Sequence, residues 1–370
     1  MKRFGLCVWD DWGDYKIDRP DNISETLLSF MIEWLDRKGF LNIDDGKIYQ
    51  FQPFEKFITY FVGDNCQLRE KAYNSMIDFW DINDASNDFP ELDCLFVRWR
   101  WDLGLDNDKR VSYQEKTLEH YLKTDTRVYI WDADCQMSQD DKALMIKHGV
   151  TLVDVAESAL GATDVINIPF SYNICIDTAL GNVLQGSSSN SGDHLDENFL
   201  LSYVGNNYER EEYVEKYLKH VSDFFPKQVH LFGNWLKYNN GVKARFENIS
   251  FHPKVNKSML QWVYRHSIAV PLITKRKSFI DGRISPRLIE VLSAGSIPIG
   301  FKEFKNYEKY FNFVAESDKD LVKLVNKIKG FSFEQRKSAV FDQLNLLNKN
   351  KIFDVDYFFK RIDILPTNIV

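Results

Sequence analysis

Short, nearly unbroken apolar runs alternate along this chain with stretches whose apolar positions recur every three or four residues. Runs of the first kind suit strands buried on both faces, and the second kind suits helices that cover them. The alternation therefore predicts parallel sheets wrapped by helices. Strands are expected at Phe4–Trp9, Lys47–Phe51, Cys94–Val97, Arg127–Trp131, Thr151–Val155 and Val165–Ile168. Ser24 reads as the N-cap of a first helix carrying Leu27, Leu28, Met31, Ile32, Trp34 and Leu35 before Gly39.

The rhythm then breaks and resumes. Gln185 to His194 is polar and glycine-rich with nothing to bury, so 184–197 is expected to be a linker or mobile loop. Beyond it, strands are expected at Phe199–Val204, Val229–Phe232, Ile268–Ile273 and Ser296–Gly300, with a charged helix from about Arg210. This divides the chain into an N-terminal domain over 1–183 and a second α/β domain over 198–350. Residues 351–370 are left to a terminal helix with an aromatic face, formed around Tyr357, Phe358 and Phe359.

Composition agrees with two domains, since 370 residues at 44% hydrophobic content can fill two cores. The net charge of −7 argues against coating nucleic acid by bulk charge, so any such contact needs a local patch. Five scattered cysteines form no CxxC pair or histidine cluster, which points away from disulfides and zinc and towards a reducing cytoplasm. No run is apolar enough for an export signal or a membrane span.

The chemistry concentrates in Gly282 to Gly300. There a helix beginning near Pro286 and ending before Gly295 places Arg287 and Glu290 on one face, opposite Leu288, Ile289, Val291 and Leu292. A guanidinium there can clamp a diphosphate while the carboxylate accepts from a ribose hydroxyl pair; an ordinary Arg–Glu pair on a helix has the same spelling. Gly205-Asn206-Asn207 stands between a strand and a helix, where backbone amides face a phosphate. Arg210 in the next turn can reach the same phosphate, although Glu209, Glu211 and Glu212 beside it fit an exposed charged face equally well. Gly233 follows the next strand, where the chain must bend closely.

In the N-terminal half, Trp131-Asp132-Ala133-Asp134 closes a strand and offers two carboxylates on one side of an extended segment. Either can serve as a base, or cap the helix that starts near Ser138. Arg98, Trp99 and Arg100 interleave cations with rings after another strand, as a phosphate and base contact would; packed rings at a crowded edge are the alternative. Lys275, Arg276 and Lys277 form a second positive patch.

These pieces, taken in order, resemble the DNA β-glucosyltransferase family of T-even-type bacteriophages. Ser24-Glu25-Thr26, the strand ending in Asp134, Tyr203-Val204-Gly205 with Arg210, Phe232-Gly233-Asn234, and Arg287 with Glu290 carry the likeness across nearly the whole chain. The resemblance implies two Rossmann-like domains facing across a cleft, the GT-B glycosyltransferase fold, with the terminal helix packing back on the first domain. It implies a UDP-sugar donor, UDP-glucose or UDP-arabinose, and as acceptor a hydroxymethylcytosine extruded from duplex DNA. It selects Asp134 over Asp132 as general base, gives Glu25 a part in placing the acceptor, and puts Val255 beside the nucleobase, where the family reads uracil through the backbone.

Arg98, Trp99, Arg100, Lys275 and Arg276 are expected on the DNA. Pro298 stands where retaining enzymes of this fold carry a second glutamate, so inversion is expected. A divalent ion is left optional. The expected protein is a cytoplasmic monomer, in the host cytoplasm if viral. One departure stands out: Tyr208 occupies the place of a second phosphate-binding arginine in a shortened loop.

Overall fold

Among the described residues, seven strands form the first sheet: β1 (Lys2–Cys7), β2 (Gly46–Gln52), β3 (Ile77–Asp81), β4 (Cys94–Arg98), β5 (Arg127–Asp132), β6 (Thr151–Asp154) and β7 (Val165–Asn167). They lie in the order β3-β2-β1-β4-β5-β6-β7 and every pairing is parallel. The computed structural model describes residues 2–7, 46–52, 77–81, 89–98, 112–132, 137–154, 165–167, 176–183, 199–235 except 209, and 244–350 except 286. The expected helix after Ser24, the stretch 184–197 and the terminal segment 351–370 lie outside the described residues.

Burial on both faces explains the unbroken apolar runs. Leu95, Val97, Val128, Ile130 and Leu152 join one core with Leu118 and Tyr121 of helix α1 (Ser112–Tyr121). Phe96 and Tyr129, paired in register, are also buried and stack with ring centroids 4.9 Å apart. After β5 the chain enters α2 (Gln139–Lys147), capped by Ser138 and Asp141 in a reciprocal box.

The second sheet contains β8 (Phe199–Val204), β9 (Val229–Phe232), β10 (Ile249–His252), β11 (Ser267–Pro271), β12 (Ile297–Phe301) and β13 (Val314–Ala315). Its order, β10-β9-β8-β11-β12-β13, is doubly wound, with the direction of winding reversing between β8 and β11. All residues of β8 and β12 are buried. Strands β3, β10 and β13 were not expected from the pattern. Asp78 and Asp81 interrupt the first, Ser250 and His252 alternate with apolar residues in the second, and the third is only two residues long.

The chain divides into two compact units, Met1–Ser171 with Val355–Val370, and Tyr172–Asp354. The division thus falls at residue 172, ahead of the polar stretch at 184–197. The reason is packing. Helix α3 (Ile176–Gly181) and the residues after it belong to the second core: Ala179 and Val183 are buried there, and Asn182 Nδ2 donates to the Ser293 carbonyl at 2.8 Å. Gly295 makes this contact possible. Its φ of 74° ends the preceding helix in the left-handed region, and a Cβ would lie 2.5 Å from the Asn182 carbonyl carbon.

Between β9 and β12, α4 (Lys257–Arg265) begins at Asn256, whose side chain accepts from the Met259 amide. Next come α5 (Arg276–Asp281) and α6 (Arg287–Ser293), whose Leu288, Ile289, Val291 and Leu292 are buried. Each such side chain contributes roughly 1.5–3 kcal/mol on burial, which fixes the opposite face of α6, with Arg287 and Glu290, at the sheet's carboxyl edge.

Candidate functional site

In the second unit, the loops leaving β8 and β9 are laced together. The Gly205 amide donates to the Phe232 carbonyl at 2.8 Å and the Gly233 amide to the His252 carbonyl at 3.1 Å, so each continues the ladder one step past its strand. The Asn206 side-chain oxygen then accepts from the Asn234 amide at 3.1 Å. Gly233, at φ 142°, is held against this loop: a Cβ would collide with the Gly205 carbonyl and lie 3.2 Å from the Asn206 nitrogen. Gly233 is therefore required by close approach of backbone to backbone, whereas a Cβ at Gly205 would meet side chains, the Arg287 guanidinium at 2.7 Å and the Tyr203 hydroxyl at 2.8 Å.

Arg287 closes the loop from α6. Its Nε donates to the Val204 carbonyl at 2.7 Å and Nη1 lies 3.4 Å from the Ser285 hydroxyl, while Nη2 lies over Gly205, 2.7 Å from where a Cβ would stand. The guanidinium also rests on the Tyr203 ring, 5.3 Å from its centroid. Burial disfavours its charge, but Tyr203, Tyr264 and Glu290 outweigh that cost and hold the pKa above the ordinary arginine value. A fixed cation thus stands at the mouth of Gly205. Arg210 approaches from the other end of the loop, donating from Nη1 to the Asn206 carbonyl at 2.8 Å. At 8% exposure it does not belong to a solvated charged face. The exposed charges nearby are those of Arg245, which pairs with Glu211 at 3.1 Å and Glu215 at 2.7 Å.

Gly205, Asn206, Arg210, Gly233, Arg287 and Glu290 are accordingly gathered at the carboxyl ends of β8 and β9, beside the reversal in strand order where open α/β sheets bind ligands. Val255 is half-buried and packs against the core just beyond β10. Lys275 and Arg276 are both exposed at the start of α5, but they point to different neighbours. The Lys275 ammonium lies 5.6 Å from the centroid of Tyr208, whereas Arg276 acts electrostatically on Tyr213. Sequence reasoning missed the support under Arg287 from Tyr203 and Ser285. A tyrosine inside an apolar strand carries no local mark of what it faces.

In the first unit, Asp132 is only 2% exposed. Its carboxylate accepts from the Met137 amide at 2.9 Å and lies 3.9 Å from the Lys142 ammonium. It thereby joins the end of β5 to the residue that precedes the cap of α2. Asp134, Glu25, Trp99 and Arg100 lie outside the described residues; Arg98 ends β4, and its side chain lies outside them too.

On β9 and the edge strand β10, His230 and His252 share a hydrogen bond of 2.8 Å between ring nitrogens. Burial first, and His252 second, push the His230 pKa down to about 4. Among the described residues no group of three or more His, Cys, Asp or Glu side chains is arranged to hold a metal ion, and no helix is long and apolar enough to cross a membrane.

No protein-family model and no curated protein matches this chain. Solved structures do. A bacteriophage T4 BGT in complex with UDP and Mn2+ matches at TM-score 0.57 and 13% identity, covering 98% of this chain and 100% of that one. HepE from Anabaena in complex with UDP-glucose matches at 0.54 and 12%, covering 98% of each. An alpha-glucosyltransferase in complex with UDP and a 13-mer DNA containing an HMU base matches at 0.55 and 11%, again over 98% of each. At these identities the likeness establishes the fold: two Rossmann-like α/β units of the GT-B glycosyltransferase type.

Proposed function

We propose that this chain is an inverting glycosyltransferase that moves glucose or arabinose from a UDP donor to the hydroxyl of hydroxymethylcytosine in duplex DNA. The observation that carries the reading is the cradle at the carboxyl end of β8, where Gly205, Arg210 and Arg287 meet at the reversal of strand order. A diphosphate matches it because the site offers fixed cations and, at Gly205 and Gly233, backbone without a side chain. Glu290, one turn along α6, is placed to accept from a ribose, and Val255 lies on the nucleobase side. The structures of this fold that were solved with UDP or UDP-glucose support the donor class.

In the transfer, the acceptor oxygen attacks the sugar's anomeric carbon as the bond to the diphosphate breaks. The proton passes to Asp134, and the electron pair leaves with UDP towards Arg210 and Arg287. Asp134 is preferred to Asp132 because the Asp132 carboxylate is buried and already engaged by Met137 and Lys142. Glu25 is assigned to acceptor placement, and Arg98, Trp99, Arg100 and Arg276 to the DNA. Extruding the base costs a few kcal/mol, which phosphate contacts and ring stacking offset. A divalent ion beside the diphosphate is left optional.

The test is incubation with hydroxymethylated duplex DNA and UDP-glucose, UDP-arabinose or UDP-galactose in turn, followed by mass spectrometry of the nucleosides. A hexose or pentose increment on hydroxymethylcytosine is expected. Failure of every donor to shift the nucleoside would remove DNA as the acceptor. The net acidity of the chain favours a second reading in that event, a transferase of the same fold acting on a cell-envelope glycan or a protein.

A further inference from the structure

Tyr208 stands at φ 32°, a conformation unusual for a residue with a side chain, and its ring is 54% exposed. Two cations lie on that ring. The Arg210 guanidinium is 5.9 Å and the Lys275 ammonium 5.6 Å from its centroid. The two come from opposite sides of the winding reversal, since Arg210 follows β8 and Lys275 lies just beyond β11. The ring therefore ties together the two loops that flank the place where open α/β sheets bind ligands.

An aromatic ring differs from a carboxylate as a partner. It holds a cation by its quadrupole without cancelling the charge. Among the described residues Lys275 makes no ion pair, so its positive charge is kept for something else. Arg287 reaches the same loop from α6. Lys275, Arg210 and Arg287 gathered around one loop, two of them on the same ring, describe a site built for a multiply charged anion.

We propose that Lys275 is a diphosphate-binding residue and that Tyr208 is the residue that positions it. Lys275 thereby moves from the DNA patch, where the sequence put it with Arg276, to the donor. The inference rests on the reading of the Gly205–Gly233 site as one for a nucleoside diphosphate.

Isothermal titration of the full-length protein with UDP and with uridine tests it. Lys275→Ala is expected to weaken UDP at least about tenfold, the order expected for one charge-assisted contact, and to leave uridine unchanged. Lys275→Arg should recover most of the loss. Tyr208→Ala should weaken UDP to a similar extent and Tyr208→Phe within about threefold of wild type, since the ring face survives. The double variant should bind no more weakly than Lys275→Ala by more than about twofold, because both changes remove one interaction.

Unchanged UDP affinity in Lys275→Ala overturns the proposal, as does an equal loss for UDP and uridine. Weakened duplex DNA with unaltered UDP would return Lys275 to the acceptor side. If the wild-type protein binds no UDP at all, the nucleotide reading itself falls; if it binds UDP and Lys275→Ala binds equally well, only this inference does.

Discussion

Arg287 shows how much one side chain does at this site, since its three nitrogens serve a strand carbonyl, a serine hydroxyl and the open face above Gly205. A lysine keeps the charge but loses the fork. Arg287→Lys should therefore weaken UDP by about tenfold or more in a calorimetric titration, with a smaller effect on uridine. Gly233 is equally constrained, by φ 142° and by the Gly205 carbonyl. Gly233→Ala should cost about 2–4 kcal/mol in urea unfolding, the range for strain combined with overpacking, and UDP binding should fall with it.

The His230–His252 pair sets a pH dependence of the fold. His230 has a native pKa of about 4 against an ordinary 6.5. As pH falls below 6.5, the unfolded chain takes up the proton first, so stability is full above 6.5, declines between 6.5 and about 4, and levels off below. Thermal midpoints measured across that window should fall with pH in the wild type, and His230→Gln should flatten the decline. A wild-type midpoint that stays level down to pH 4 would contradict the assignment.

At the scale of elements, the turn from β5 to α2 separates two aspartates that look alike on paper. Asp132 accepts the Met137 amide in a buried setting, and Ser138 with Asp141 caps the helix that follows. Asp132→Ala leaves that amide without its acceptor and should cost about 1–3 kcal/mol in denaturant unfolding. This element also explains why periodicity alone left the choice open. Strict alternation puts Asp132 and Asp134 on one side of an extended segment, so the pattern by itself cannot rank them; Asp132 ends β5, and Asp134 lies outside the described residues. The helix carrying Arg287 was easier to read, because its buried residues are spaced as a packed face and Gly295 ends it in the left-handed conformation. Strand β10 was missed because His252 faces other rings, stacking on Phe232 at 4.4 Å, and alternation with polar residues reads as surface.

For the whole molecule, the prediction belongs to turnover. If the proposed function holds, Asp134→Asn should abolish sugar transfer while UDP affinity and the unfolding midpoint stay near wild type, because the loop of Gly205 and Arg287 lies in the second unit and the Met137 amide is held by Asp132. An active Asp134→Asn enzyme would show that the base lies elsewhere. Stabilisation by UDP should follow the ordinary linkage law, about 2.7 kcal/mol at a hundred times the dissociation constant, and scanning calorimetry across a UDP series would read it.

Two α/β units and most of their strands were written in the chain as apolar runs, with glycines marking the loops after β8 and β9. Such signals survive in one dimension because burial on both faces and positive φ each demand particular residue types at the position itself. The division at residue 172 was not legible, since a polar stretch marks where a chain is unburied, whereas the core that claims Ala179 and Val183 is assembled from residues distant in sequence. Nor was the partner of Lys275. Its neighbours in sequence are basic and suggest a nucleic-acid patch, but the tertiary structure brings its ammonium to Tyr208. A side chain's charge is fixed by its type, while the groups that share that charge are chosen by the fold.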